Sequence, residues 1–562
     1  MNKRIFFYLV LGLLISFILL LSFIFINGRY LSSDSAYYGQ ISKQVIKDQK
    51  IVTEVSNLEN RSVQYPPLFF VANAVFMMFL GDFAFRIILF FISIFMLAFL
   101  VKTFWFDKKK SYNLLLLAIF SAIYFSSFFF YTILRYKIET FMFFYAVVLL
   151  YLFCKAEKNY KTLILFSFFI AVQISLKQFG FIFLPFIILF AFWNKNSLKQ
   201  KLKWLFLGLL IIFLISTPFY AVMKASTGFF TGVPSMSLPY LDNLNINVGG
   251  IKCGGLCLES DSLKQLQQEG LHEEQEIGLV NESIENNALV VNNLEIFNKE
   301  SILFAYSQFK KGSWMLGSLQ ISFAIFWILI IFLSIYFKEY KSQTLFIVLL
   351  VILSLFAYIK VSSIWTYWES ASFLFEILTF SFLIYLAVII KNKRLQIAIF
   401  CILIILTLFV SIIPSYNNIY LPQKANNNII EGILKAEPFI PENFYAISNR
   451  GYEEGYYLDR PILIKQVRSV DYIIEKDKNS EDIWQSFLDK DEFTFINLSR
   501  TKGINYIFFV KNIRNAGLGS KDIRPAFIES LRYLEEKGVI EKTYENNEVE
   551  VYSIKSQNET HN

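Results

Sequence analysis

Asp34 stands in Ser32-Ser33-Asp34-Ser35-Ala36-Tyr37-Tyr38, where the chain leaves its first long apolar stretch. A carboxylate there can take a proton from a hydroxyl that comes within hydrogen-bond reach. Asp34 lies in loop 27–82, roughly 55 residues and far more than a connection needs, whose polar part closes on Tyr65-Pro66-Pro67. The plainer alternative is an aspartate that caps the loop backbone, with Ser33 and Ser35 as neighbours.

A second group is Arg135-Tyr136-Lys137-Ile138-Glu139. Read functionally, Glu139 is a second acidic position facing Asp34 across a cavity, and Arg135 and Lys137 are poised for phosphate. Read plainly, it is a solvated turn with snorkelling side chains. A third group is Lys177-Gln178-Phe179-Gly180, between apolar stretches 162–176 and 179–193, each too short for an ordinary span. A lysine there is hard to explain by packing, and it is a good point-charge partner for phosphate. Asp82 and Arg86 have the spacing of an intrahelical ion pair. Trp365 and Trp368 read as interfacial anchors, while Glu376 falls inside a span.

These groups need a scaffold, and the composition says which kind. Of 562 residues, 55% are hydrophobic and 17% charged, with mean hydropathy +0.47. That excludes an ordinary soluble globule. Apolar stretches recur near 5–26, 83–106, 112–132, 139–154, 162–176, 179–193, 204–223, 314–337, 343–364, 371–390 and 395–413. We read about eleven transmembrane helices in a polytopic α-helical membrane protein. Lys3 and Arg4 precede the first, and no small-residue cleavage site follows it, so it reads as a retained anchor.

Short basic clusters orient the spans. Lys3/Arg4, Lys108–Lys110, Lys155/Lys158/Lys161, Lys195–Lys203, Lys338/Lys341 and Lys391–Arg394 all fall on the cytoplasmic side of an eleven-span arrangement. The stretch 68–80 is too short to cross and reads as an interfacial or re-entrant helix. The N-terminus is then cytoplasmic. Loops 27–82, 133–138 and 224–313 face the exported side, with the C-terminal region 414–562. The net charge of +8 follows this topology and is no signal for nucleic acid.

Residues 1–413 read as the membrane domain and 414–562 as a C-terminal exported α/β domain. Phe444–Ser448, Ile462–Ile464, Tyr506–Val510 and Val549–Ile554 look like strands, and 426–435 and 526–537 like helices. Loop 224–313 is acidic over Glu259–Glu300 and carries leucines at near-helical spacing. Cys253 and Cys257 could close a small disulfide in an oxidising compartment; a free thiol pair is the alternative. With only His272 and His561, a zinc site is disfavoured. No nucleotide-binding loop or catalytic serine elbow is present.

Taken in order, these residues resemble the GT-C superfamily of polyprenyl-phosphate-sugar glycosyltransferases. The bacterial members similar to protein O-mannosyltransferases and lipid A aminoarabinose transferases are the nearest in pattern. The resemblance covers the membrane part, most clearly 1–190. It rests on Asp34, Tyr65-Pro66-Pro67-Leu68, Gly81 with Phe85-Arg86, Arg135 with Glu139, and Lys177 with Gly180 and Pro185. The chain departs from the family in having Ser35 where many members have Glu, and Glu139 where many have Asp. Gln178 and Phe179 also separate Lys177 from its glycine.

The resemblance implies an inverting transfer from a polyprenyl-phosphate sugar, such as an undecaprenyl one, to an acceptor hydroxyl or amine in the cell envelope. The protein would sit in a bacterial inner or plasma membrane. Asp34 would be the general base. Lys177, then Arg135 and Lys137, then Arg86, would bind the donor phosphate. Glu139 would orient the acceptor or share a divalent ion with Asp34, Mg²⁺ or Mn²⁺ suiting two carboxylates. Two other classes compete: a flippase of lipid-linked sugars, and a ligase or polymerase of surface polysaccharide.

Overall fold

The computed structural model describes residues 30, 33–51, 54–55, 61–62, 66–81, 84–105, 116–117, 138–155, 159–193, 197–227, 341–360, 377–378, 381–402, 421–464, 483–511 and 524–555. The chain opens with α1 (Ser33–Asp48) and a short antiparallel ribbon of β1 (Glu54–Val55) and β2 (Arg61–Ser62). Apolar helices follow: α2 (Leu68–Leu80), α3 (Ala84–Phe104), α4 (Ile138–Cys154) and α5 (Tyr160–Leu176). After a 3-10 segment over Gln178–Phe183 come α6 (Pro185–Phe192), α7 (Leu198–Thr227) and α8 (Lys341–Lys360).

The rest is mixed. It comprises α9 (Leu421–Ala436), β3 (Ala446–Ser448), α10 (Tyr452–Leu458), β4 (Ile462–Ile464), α11 (Ile483–Leu488) and α12 (Glu492–Lys502). It ends with β5 (Tyr506–Val510), α13 (Arg524–Glu536), β6 (Ile540–Glu545) and β7 (Val549–Ile554).

Two compact units result. One holds Met1–Arg29, Tyr65–Tyr220 and Asn293–Gln423; the other holds Tyr30–Gln64, Ala221–Asn292 and Lys424–Asn562. Segment 27–82, one exported loop in the sequence reading, is therefore divided between them. Its first part folds as α1, in which the eight consecutive residues Ser35–Ser42 are all buried.

The first unit is helical. α2 starts where Pro66 and Pro67 end the polar segment and stops at Gly81, whose φ of 59° suits a helix end. Asn159 caps α5 by accepting the Thr162 N–H at 3.0 Å, and Pro185 stands at the start of α6. Ring stacks join the helices: Phe166 on Phe190 at 4.5 Å, and Phe186 on Phe346 at 4.4 Å.

Large apolar side chains also point outward, with Phe79 80%, Phe206 70% and Phe213 63% exposed. Such faces need lipid rather than water. Among the described residues, Ile87–Phe104 and Leu198–Lys224 are long and apolar enough to cross a bilayer. Leu68–Leu80, Thr140–Cys154, Tyr160–Leu176, Gln178–Phe192 and Lys341–Ser354 are shorter apolar helices.

The second unit carries a five-stranded sheet in the order β4-β3-β5-β7-β6. β3 runs parallel to β4 and β5; β7 is antiparallel to β5 and β6. Alternate residues of β5 feed opposite faces. Ile507 and Phe509 join Trp484, Phe487, Phe495 and Phe527 on one side, while Phe508 and Val510 join Ile429, Ile433 and Val551 on the other. β6 and the helices α10 to α12 are elements the sequence reading lacked.

Candidate active site

In the helical unit, α4 and α5 run antiparallel. Tyr145 meets Phe169 at 5.5 Å, and Gln173 Nε2 donates to the Met142 carbonyl at 2.5 Å. Glu139 lies one turn before Met142, and Lys177 one turn after Gln173, so both stand at the same end of the pair. Phe69, in the first turn of α2, meets Phe141 at 5.3 Å, which brings the Pro66-Pro67 entry to that end too.

α3 joins the same arrangement. Lys102 and Phe99 lie against the Tyr151 ring at 5.3 and 5.2 Å. Gln343 of α8 donates to the Thr103 carbonyl at 3.2 Å, and Phe346 of α8 meets Phe153 at 5.6 Å. The C-terminal ends of α3 and α4 are therefore together. Their N-terminal ends, which carry Arg86 and Glu139, emerge together at the other end. Arg86 and Glu139 are placed here by backbone position.

Lys177 sits where the helical path breaks. Its backbone is extended, with φ −159° and ψ 147°, between the end of α5 and the 3-10 segment. The break frees carbonyls at the end of α5, which need partners inside an apolar unit. Tyr220 Oη donates to the Ile174 carbonyl at 3.0 Å, and the Lys177 N–H reaches the Gln173 carbonyl at 3.4 Å. Ten consecutive residues, Ala171–Gly180, are buried, Lys177 at 8% exposure with its Nζ 5.4 Å from the Phe179 ring centroid. A charged residue at membrane depth is costly, which makes Lys177 a candidate functional residue.

Asp34 belongs to the other unit. It is the second residue of α1, so it stands at a helix N-terminus, where a negative charge is favoured. Beside it, Ser35 is fully buried, and its Oγ has no hydrogen-bond partner among the described residues. α1 is seated on α10. Tyr37 meets Tyr452 at 5.3 Å, Gln40 Nε2 reaches the Tyr452 carbonyl at 3.5 Å, and Lys43 Nζ lies 3.9 Å above the Tyr456 ring.

The start of α10 is itself held by a buried charged cluster. Gly451 has φ 97°, and its N–H donates to Glu454 Oε2 at 2.8 Å; Ser448 Oγ donates to Oε1 at 2.8 Å. Arg450 joins Glu453 at 2.6 Å and Asn426 of α9. Burial, then the Glu453 charge, pushes the Glu454 carboxyl up to about 7, against the pull of Arg450.

Of the residues singled out in the sequence, Pro66, Pro67, Arg86, Glu139 and Lys177 share one end of the helical unit. Tyr65, Arg135, Lys137, Cys253 and Cys257 lie outside the described residues. Sequence reasoning missed Gln173, Tyr220, Gly39 and Tyr456. The Ser33-Asp34 start followed by apolar residues at 37, 38 and 41 was a readable signal for α1. Mg²⁺ or Mn²⁺ would take hard carboxylate donors such as Asp34 and Glu139. Among the described residues there is no group of three or more His, Cys, Asp or Glu that could hold a metal.

No family model matches the chain, and no curated protein matches it by sequence. Solved structures do match. An archaeal oligosaccharyltransferase, AglB from Archaeoglobus fulgidus in complex with an inhibitory peptide and a dolichol-phosphate, aligns over 90% of this chain and 69% of its own, with TM-score 0.52 and 11% identity. ArnT from Cupriavidus metallidurans, bound to undecaprenyl phosphate, aligns over 97% of this chain and 98% of its own, with TM-score 0.51 and 10% identity. Both are GT-C superfamily members, and the chain shares their fold.

Proposed function

We propose that this GT-C-fold protein is an inverting glycosyltransferase that takes its sugar from a polyprenyl-phosphate donor. The supporting observation is the gathering of Pro66-Pro67, Arg86, Glu139 and the buried Lys177 at one end of an apolar helical unit. The two similar proteins were solved with dolichol-phosphate and undecaprenyl phosphate, a chemistry that suits a cation set in an apolar wall.

In this reading the acceptor oxygen or nitrogen attacks C1 of the sugar from the face opposite the phosphate. Asp34 accepts the proton that the acceptor loses. The C1–O bond breaks, and its electron pair stays on the phosphate oxygen. Lys177 stabilises the charge that builds there, with Arg135, Lys137 and Arg86 as further cations. Glu139 orients the acceptor. The leaving phosphate is already anionic, so no general acid is required. The reaction side is the exported one, where the second unit would meet the acceptor.

The helical break at Lys177 also suits a flippase, since broken spans mark transporters. One experiment separates the two. Purified wild type and Asp34→Asn are given a panel of synthetic polyprenyl-phosphate sugars, and transfer is followed with donor binding. Transfer by wild type alone supports the enzyme with Asp34 as its base. Near-normal turnover by Asp34→Asn removes that assignment, and donor binding without transfer by either protein brings forward a missing acceptor or the flippase.

A further inference from the structure

α1 is locked to α10 by two close approaches, each made by a glycine. A Cβ built on Gly39 would stand 2.5 Å from Tyr456 Cε2 and 3.0 Å from Cδ2. Tyr456 is 1% exposed, its ring is edge-on to Tyr457 at 4.9 Å, and Lys43 covers one face, so the ring has nowhere to go. From the other helix, a Cβ on Gly455 would collide with Gln40 Nε2. Glycine inside a helix weakens it relative to alanine. Two such residues, one on each helix and facing each other's side chains, mark a contact whose closeness matters.

The contact lies within two turns of Asp34. Gly39 and Gln40 follow it on the same helix, and Tyr37, one turn after Asp34, is already in ring contact with Tyr452. A helix is stiff over this length, so the depth of the α1–α10 contact sets the height and rotation of its first turn. The far side is equally fixed: Glu454 and Ser448 hold the start of α10, and Arg450 ties that start to α9.

We propose that Gly39, Gln40, Tyr456 and Gly455 are positioning residues, through which the C-terminal domain sets where Asp34 stands during transfer. This rests on Asp34 being the general base. Proton transfer requires a separation near 3 Å, and small misplacements far from the chemistry cost large factors in rate. A wedge between the helices therefore displaces the base without touching the donor phosphate site.

The test uses the full-length protein in lipid nanodiscs with a polyprenyl-phosphate sugar that supports transfer. Gly39→Ala is expected to lower kcat about tenfold or more, with the KM for donor within about twofold. Tyr456→Val removes Cδ2 and Cε2. Placed in the Gly39→Ala chain, it is expected to recover most of the lost kcat. Melting temperatures are recorded for every variant. If Gly39→Ala does not fold, Gly455→Ala with and without Gln40→Ala is the second wedge-and-relief pair and decides in its place.

Unchanged kcat in a folded wedge variant, or a loss that the relieving substitution does not recover, overturns the proposal. A parallel rise in donor KM does so too. Asp34→Asn is run alongside: if it retains turnover, the base assignment fails first, and that failure is visible independently of the wedge series.

Discussion

Gly180 packs so closely on Gln173 that no side chain fits between them: a Cβ at position 180 would collide with the Gln173 carbonyl oxygen. The same Gln173 holds the Met142 carbonyl through its amide and receives the Lys177 N–H on its backbone oxygen. One residue pair thus fixes the fold-back after α5, the α4–α5 register and the backbone of Lys177.

Gly180→Ala is expected to be strongly destabilising, because the colliding group is backbone and cannot swing aside. A cost of about 3 kcal/mol, at the upper end for overpacking, is anticipated. Thermal unfolding of the full-length protein in detergent measures it. A variant as stable as wild type would mean that the 3-10 segment relaxes freely.

Lys177→Ala is expected to raise the KM for a polyprenyl-phosphate sugar by about tenfold or more, the range set by losing one charge-assisted hydrogen bond of about 2 kcal/mol. The KM for acceptor is expected to stay within about twofold. Steady-state kinetics with donor and acceptor varied separately would expose the opposite result, which removes Lys177 from the phosphate site.

Ser35→Ala separates two reasons for a buried hydroxyl. Removing an unpaired buried hydroxyl generally stabilises, here by about 1 kcal/mol. If the Ser35 hydroxyl serves the substrate beside Asp34, the variant is more stable and turns over more slowly. A more stable variant with wild-type kcat would assign Ser35 no part in transfer.

Glu454 gives the second unit a pH dependence of definite sign. Its carboxyl is held at about 7 when folded and near 4.5 when unfolded, so the folded state binds the extra proton between those values. Stability is highest below about 4.5 and declines as pH rises through 7, by about 3 kcal/mol at most. Glu454→Gln lacks that decline. Melting temperatures of both proteins from pH 5 to 8 should diverge in this direction, and parallel profiles would contradict it.

Much of the scaffold was legible. The stretch 68–80 is helical over the same bounds, because a proline pair starts it and a glycine ends it. The apolar stretches 162–176 and 179–193 do meet at a break on Lys177. Ile462–Ile464, Tyr506–Val510 and Val549–Ile554 are strands as read, while the strand at Phe444–Ser448 is confined to Ala446–Ser448. β6 was not legible: of Ile540–Glu545, only Ile540 is buried, so the segment lacks the alternation that marks a strand from sequence.

α1 was missed although its signals are local. Its apolar residues are few and flanked by Ser, Gln and Lys, and such a helix persists through what it packs on rather than through its own propensity.

By itself the sequence determined the local properties: which stretches are apolar enough for lipid, where a proline or glycine must end them, and where a lysine interrupts them. Those follow from each residue's own solvation and backbone preference. The tertiary structure alone decided which packed pairs hold that end together, Gln173 on Met142 and Phe69 on Phe141, and that Gly39 meets Tyr456. Such meetings join residues from 30 to more than 400 positions apart. They depend on which ring, amide or bare Cα faces which across a packed interface, and no single segment carries that information.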